Sequence, residues 1–228
     1  ATLALSNPAS EGTILILRSR GDVTIEGDID LVGDGAEANT NGYAIFDDLD
    51  THDGNDGGDG PTTGVGTGGT GGAILSNRFA YLTADSNLSF RQLLQIAAGS
   101  GGADGGNGWN SADAAANVAG GPGGRGGGSL LIECGRALNF ASGANINIDG
   151  EDGSNGTDGP DTGASRNGGG GGGGGGAAGM ALIMYNTLTA NSGTINARGG
   201  AAGDGGDGHA GTTGSAAGGG GGGGGASY

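Results

Sequence analysis

Gly150-Glu151-Asp152-Gly153-Ser154-Asn155-Gly156-Thr157-Asp158-Gly159-Pro160 places a glycine at every third position. The same spacing occurs at Gly102, Gly105 and Gly108, at Gly200, Gly203 and Gly206, and at Gly205, Gly208 and Gly211. Uninterrupted runs stand at Gly168 to Gly176 and at Gly218 to Gly225. A helix of the polyproline II type has three residues per turn and no internal hydrogen bonds, so glycine at every third residue leaves one face without side chains. Such faces can approach closely, and their amides can pair between neighbouring helices. The spacing therefore predicts packed polyglycine II helices.

Composition alone points the other way, because 63 glycines and 4 prolines among 228 residues fall in the low-complexity range. Fixing a residue's backbone costs about 1–2 kcal/mol, and glycine loses more freedom than any other residue. Two features favour order. Buried backbone polar groups have to be paired, which a packed array of tracts achieves. Each tract also lies downstream of an apolar, strand-like segment.

Working outward from the tracts, an apolar run, a polar break, a second apolar alternation and a glycine-rich tract recur four times, at about 12–70, 71–127, 128–178 and 179–228. The first unit carries Ile14-Leu15-Ile16-Leu17, Val23-Thr24-Ile25 and Ile29-Asp30-Leu31-Val32. The second carries Ala73-Ile74-Leu75, Tyr81-Leu82, Leu88-Ser89-Phe90 and Leu93-Leu94-Gln95-Ile96. The third carries Leu130-Leu131-Ile132, Leu138-Asn139-Phe140 and Ile146-Asn147-Ile148, and the fourth Met180 to Tyr185, Leu188-Thr189 and Thr194-Ile195-Asn196. Units that cannot bury their own faces stack, each pairing with the next. The first strand of each unit is apolar at consecutive positions and reads as buried on both faces, whereas Ile146-Asn147-Ile148-Asp149 alternates and reads as half exposed. The expected fold is all-β: a single repetitive domain over 1–228 of stacked β-strand units, sandwich-like or solenoid-like, with packed polyglycine II helices. Almost no α-helix is expected, the exception being a short alanine-rich stretch within Ser111 to Val118.

The net charge of -16, with only eight basic residues scattered along the chain, excludes a phosphate-binding surface and hence a nucleic-acid partner. No run approaches the roughly 20 apolar residues of a membrane span, and the residues from Ala1 lack a signal-peptide layout, so membrane insertion is not expected. Cys134 lies in Leu130-Leu131-Ile132-Glu133-Cys134 and reads as a small buried hydrophobe. His52 and His209 stand apart in glycine-rich tracts, no nucleophile elbow sits between a strand and a helix, and no Gly-Lys-Ser/Thr follows a glycine run. The chain reads as a non-enzyme without an organic cofactor.

Calcium is the one metal the pattern suits. Asp53, Asp56 and Asp59 with Asn55 form one oxygen-rich stretch, and Asp149, Glu151 and Asp152 with Asn155 form another, with glycines that let carbonyls turn inward. Neither matches the EF-hand frame or the β-roll nonapeptide, and the alternative is that the acids occupy outward, solvated positions of glycine helices. Candidate contact residues are the bulky side chains between tracts: Tyr43, Phe46, Trp109 and Tyr228. Trp109 reads equally as a cap on the stacked units. Tyr43-Ala44-Ile45-Phe46 falls outside the repeat frame and reads as an apolar patch beside the acids Asp47, Asp48 and Asp50.

Gly126-Gly127-Gly128-Ser129-Leu130-Leu131-Ile132, the later Ser142-Gly143 and Ile146-Asn147-Ile148 with the period-three glycine after it, and the polyglycine runs together resemble glycine-rich virion and cell-surface proteins. The polyglycine tracts look like those of the distal tail-fibre adhesins of T-even-type phages. The resemblance is architectural, covers roughly residues 99–228, and does not extend to the apolar strands between tracts or to a fibre-attachment domain. It implies a rigid display scaffold in a phage fibre, tip or decoration protein, with host-surface recognition in the segments between tracts. Its partners would be other virion proteins, copies of itself and a host receptor, and its place the virion or the cell exterior. The other expectation is a self-assembling filament or surface-matrix protein of a bacterium or archaeon, since unpaired terminal strands recruit another chain. Ala1 to Leu5 reads as a strand able to add to a neighbouring subunit's sheet.

Overall fold

The computed structural model describes residues 1–45, 51–52, 73–74, 96–108, 118–161 and 167–209. The chain is all-β, with no helix among the described residues. Among the described residues twelve strands follow in order: β1 (Thr2–Ala4), β2 (Ile14–Ser19), β3 (Val23–Ile25), β4 (Asp28–Asp30), β5 (Ala44–Ile45), β6 (Thr51–His52), β7 (Ala73–Ile74), β8 (Ile96–Ala97), β9 (Ser129–Phe140), β10 (Asn145–Asn147), β11 (Ala181–Asn191) and β12 (Thr194–Asn196).

Two four-stranded parallel sheets carry the fold. The first has the order β1-β4-β10-β12, and the second β11-β9-β2, with β3 beside the distal half of β9. In the first, Leu3 faces Ile29, Ile29 faces Ile146 and Ile146 faces Ile195, so four aliphatic side chains align across the strands. In the second, Leu15, Leu130 and Ala181 share one register row and Leu17, Ile132 and Ile183 another. One apolar cluster draws on both sheets, with Ile29 and Ile146 from the first and Leu130, Ile132, Leu138 and Phe140 from the second. Polar positions are paired across the strands too: Asn145 Nδ2 donates to Asp28 at 2.8 Å and Asn196 Nδ2 to Asn147 at 2.7 Å.

Parallel neighbours need a long return connection, usually a helix. Between β9 and β11 that return includes two glycine tracts, 148–159 and 167–179, lying antiparallel. Gly170, Gly173, Gly176 and Gly179 donate to the carbonyls of Thr157, Ser154, Glu151 and Ile148. The tract 167–179 also donates from Gly171, Gly174 and Ala177 to Gly106, Ala103 and Ser100 of the tract 98–108. It accepts from Gly121, Gly124 and Gly127 of the tract 118–128, and from Gly200, Gly203 and Gly206 of the tract 197–209. Four neighbouring tracts thus bond to one central tract, always at steps of three residues.

The steric reason for the long glycine run follows directly. A Cβ on Gly169, Gly172 or Gly175 would overlap the carbonyls of Gly206, Gly203 or Gly200, and one on Gly170, Gly173 or Gly176 those of Ala119, Pro122 or Arg125. Gly168 to Gly176 is buried throughout. Arg125 ties the N-terminal segment to this array, its guanidinium donating to the carbonyls of Gly33, Gly35 and Ala9 and pairing with Glu37 at 3.0 Å. Gly33 turns the chain at a φ of 69°, and the Glu151 side chain occupies the space where a Cβ would sit.

Several details differ from the sequence reading. Ser129 to Phe140 is one twelve-residue strand rather than two, and the eleven-residue β11 merges two segments in the same way, the polar breaks being absorbed at register shifts. Unit one pairs with unit three, β2 and β3 both lying on β9, instead of with the next unit in sequence. Of unit two, the segments within 75–95 lie outside the described residues. Of the first strands of units one, three and four, β9 is buried along much of its length, whereas its outer neighbours β2 and β11 are partly and mostly exposed. The expected helix falls on 111–117, outside the described residues, and Val118 is extended, bridged to Gly108.

Candidate docking face

The strands of unit four end both sheets on the same side. β12 closes the first sheet and β11 the second, and the glycine tract 197–209 continues from β12. The aliphatic row that is buried at Ile29 and Ile146 becomes exposed at its last members, with Ile195 at 45% and, at the opposite edge, Leu3 at 44%. Tyr185 and Leu188 of β11 are exposed as well. The strand Ala181-Leu182-Ile183-Met184-Tyr185-Asn186-Thr187-Leu188-Thr189-Ala190-Asn191 contains no charge and no proline, in a chain whose net charge is -16. Natural edge strands are usually blunted by lysine, proline or bulges; β11 has neither lysine nor proline, and its register shifts between Tyr185 and Thr187 and between Leu188 and Ala190 are the one such device it carries.

The glycine tract repeats the pattern. In the tract 148–159 an Asx residue precedes every third glycine, and its Oδ1 accepts an amide of the neighbouring tract. Asp149 accepts from Arg198, Asp152 from Ala201, Asn155 from Asp204 and Asp158 from Asp207, at 2.6–2.8 Å. In the tract 98–108, Asp104 accepts from Gly123 at 2.8 Å and Asn107 from Gly120 at 3.2 Å. The outer tract carries the same signature at Asp204-Gly205 and Asp207-Gly208, both on exposed positions. The amides of Gly199, Ala202, Gly205 and Gly208 have no acceptor among the described residues.

No family model, curated protein or solved structure matches the chain. Tyr43 is 52% exposed, and its backbone is held by Glu11 and Ala98, the Tyr43 N–H donating to Glu11 at 2.6 Å. Phe46, Trp109 and Tyr228 lie outside the described residues, as do Asp53, Asp56 and Asp59. Asp149 and Asp152 are brought into one row with Asn155 and Asp158, while Glu151 turns toward Gly33. Among the described residues no three His, Cys, Asp or Glu side chains converge as a metal site. Cys134 is buried, its Sγ 3.5 Å from the Gly21 carbonyl and 3.3 Å from that of Ala137. His209 pairs with Asp161 at 2.8 Å beside the bridge between Asn167 and His209. Among the described residues no helix is long and apolar enough to cross a membrane.

The sequence reading missed the role of the Asx residues as acceptors for a neighbouring tract. The signal was available in Asp149-Gly150, Asp152-Gly153, Asn155-Gly156 and Asp158-Gly159: an acceptor-bearing side chain just before each side-chain-free position. A short Asx oxygen reaches an adjacent backbone amide, which is the competition with backbone pairing that such residues are known for.

Proposed function

We propose that this chain is a non-enzymatic structural protein, a solenoid of stacked strand units backed by polyglycine II helices, which joins copies of itself into an extracellular filament or surface matrix. The observation that carries the reading is the unit-four face, where both sheets end in uncharged strands with exposed Tyr185, Leu188 and Ile195. A protein designed to stay single would place charge there. Support for the polyglycine II description comes from hydrogen bonds spaced at three residues between five tracts, the periodicity of a three-residue turn.

Electron microscopy of the purified chain after size-exclusion chromatography tests the reading. Regular filaments or sheets are the expected outcome. Compact separate particles that adhere to host cells would replace it with a second reading, that of a phage fibre, tip or decoration protein displaying the segments between tracts. The exposed Tyr43, on a segment outside the repeat frame, is the specific observation favouring that alternative.

A further inference from the structure

We infer that copies of this chain join head to tail, β12 of one copy taking β1 of the next as its parallel neighbour with Ile195 in register with Leu3. The inference rests on the self-assembly reading above and names its contact.

The backbone fixes which groups face outward. On β12, Thr194 N–H donates to Ala144 and the Asn196 carbonyl accepts from Ile148, so both residues turn their polar groups inward. The N–H and C=O of the intervening Ile195 therefore point away from the sheet, by the alternation of a strand. On β1, the Ala1 carbonyl accepts from Asp28, which places the polar groups of Ala1 and Leu3 toward β4 and leaves those of Thr2 and Ala4 facing out. In a parallel pair a residue bonds to the two residues flanking its partner, as Thr194 does to Ala144 when its register partner is Asn145. Ile195 set opposite Leu3 obeys the same rule. Its N–H meets the Thr2 carbonyl, and its carbonyl meets the Ala4 N–H.

The side chains agree with the backbone. Leu3, Ile29, Ile146 and Ile195 form one row, buried in the middle and half exposed at the two ends. Joining Ile195 to the next Leu3 continues the row and buries both ends. Thr2-Leu3-Ala4 and Thr194-Ile195-Asn196 carry no charge, so no like charges face each other across the two strands themselves. Every pairing in both large sheets is parallel, so a joint that continues the same pairing sets one edge against the opposite edge. Such a contact is heterologous and leaves a free edge on each new copy, which produces an open-ended assembly. β11 flanks the joint with Tyr185 and Leu188, but the proposal rests on the first sheet alone.

Two variants at exposed positions test it, each placing a carboxylate at the joint so that the two blocked edges also repel each other: Ile195→Glu blocks one edge and Leu3→Glu the other. Sedimentation velocity of the full chain across a concentration series is the measurement, with thermal midpoints as the check on folding. Wild type is expected to form species larger than a dimer. Each variant alone is expected to associate at least about tenfold more weakly. An equimolar mixture of the two variants should give a dimer and nothing larger, because only one joint between them keeps both native edges. If both variants assemble like wild type, this contact is wrong while self-assembly stands. If Leu3→Glu alone dimerises through β12, the joint is isologous and head-to-tail growth is overturned. A wild type that stays monomeric throughout removes the self-assembly reading and this inference with it.

Discussion

The glycine tracts 167–179 and 197–209 are built from similar residues and differ in what surrounds them. The inner tract bonds to four neighbours, and two of every three positions from Gly169 to Gly176 lack room for a Cβ. In the outer tract a Cβ would overlap neighbouring carbonyls at Gly200, Gly203 and Gly206, those of Glu151, Ser154 and Thr157, and would meet nothing closer than an ordinary contact at Gly205. The remaining positions carry Ala201, Ala202, Asp204 and Asp207 as readily as glycine. The number of glycines that packing requires per turn thus rises with the number of neighbouring tracts. The strands show the same gradient: β9 is largely buried between two partners, whereas β11, with one, is mostly exposed.

The largest test of this comparison is Gly172→Val. The branched side chain would run into the Gly203 carbonyl, backbone that cannot rotate aside as a side chain can. A loss of about 3 kcal/mol or more is expected, at or beyond the usual upper end for overpacking, with failure to fold as the extreme. Chemical denaturation measures it. An unaltered midpoint would show that the inner run is loosely packed and that the gradient between the tracts does not exist.

A smaller effect is expected from Asp152→Ala, which removes one acceptor from the row between the tracts 148–159 and 197–209. The Ala201 amide would turn to water at this exposed site, so the cost should be about 0.5–1.5 kcal/mol. Asp152→Asn retains the side-chain oxygen and should recover most of it. Equal losses for both variants in thermal melts would mean that charge, and not the hydrogen bond, holds the row.

Much of the fold was legible because its periodicities are local. The period of three fixed the tracts, and the apolar runs located strands in units one, three and four, since Ile14-Leu15-Ile16-Leu17 or Ile146-Asn147-Ile148 can satisfy little else. Spatial order was not legible. Nothing in Ile14 to Ser19 states that its neighbour is Ser129 to Cys134, because every unit offers a similar aliphatic strand and the choice is made by the whole stack. The same holds for the candidate face. Leu3 and Ile195 look like any other strand aliphatics until their position at the ends of a row leaves them half exposed.

Asp34 gives a pH-dependent test of the inner region beside Arg125. It is buried, and its carboxyl is pushed above the ordinary carboxylate range first by burial, then by the charge of Asp30, against the pull of Arg125. A carboxyl whose pKa is higher in the folded state adds stability at pH below its unfolded value, and that contribution is lost as pH rises through the folded value. Asp34→Asn cannot ionise. Thermal midpoints measured from acid to neutral pH should therefore show the variant gaining on wild type as pH rises. A constant difference would mean that Asp34 titrates alike in both states.

The smallest expected effect is that of Gly205→Ala, set against its neighbour Gly206 in the outer tract. A Cβ on Gly205 would find its nearest atom, the Gly170 carbonyl oxygen, at 3.7 Å, an ordinary contact. Gly205→Ala should therefore leave stability unchanged or raise it by up to about 1 kcal/mol, since alanine narrows the unfolded ensemble. Its neighbour faces the opposite way. A Cβ on Gly206 would overlap the Thr157 carbonyl, so Gly206→Ala should destabilise by about 1–3 kcal/mol. Thermal melts of the two variants side by side decide whether glycine in this tract is required by packing at every third residue or merely favoured throughout. Equal effects at both positions would point to the second, because a fixed packing gives consecutive glycines different surroundings.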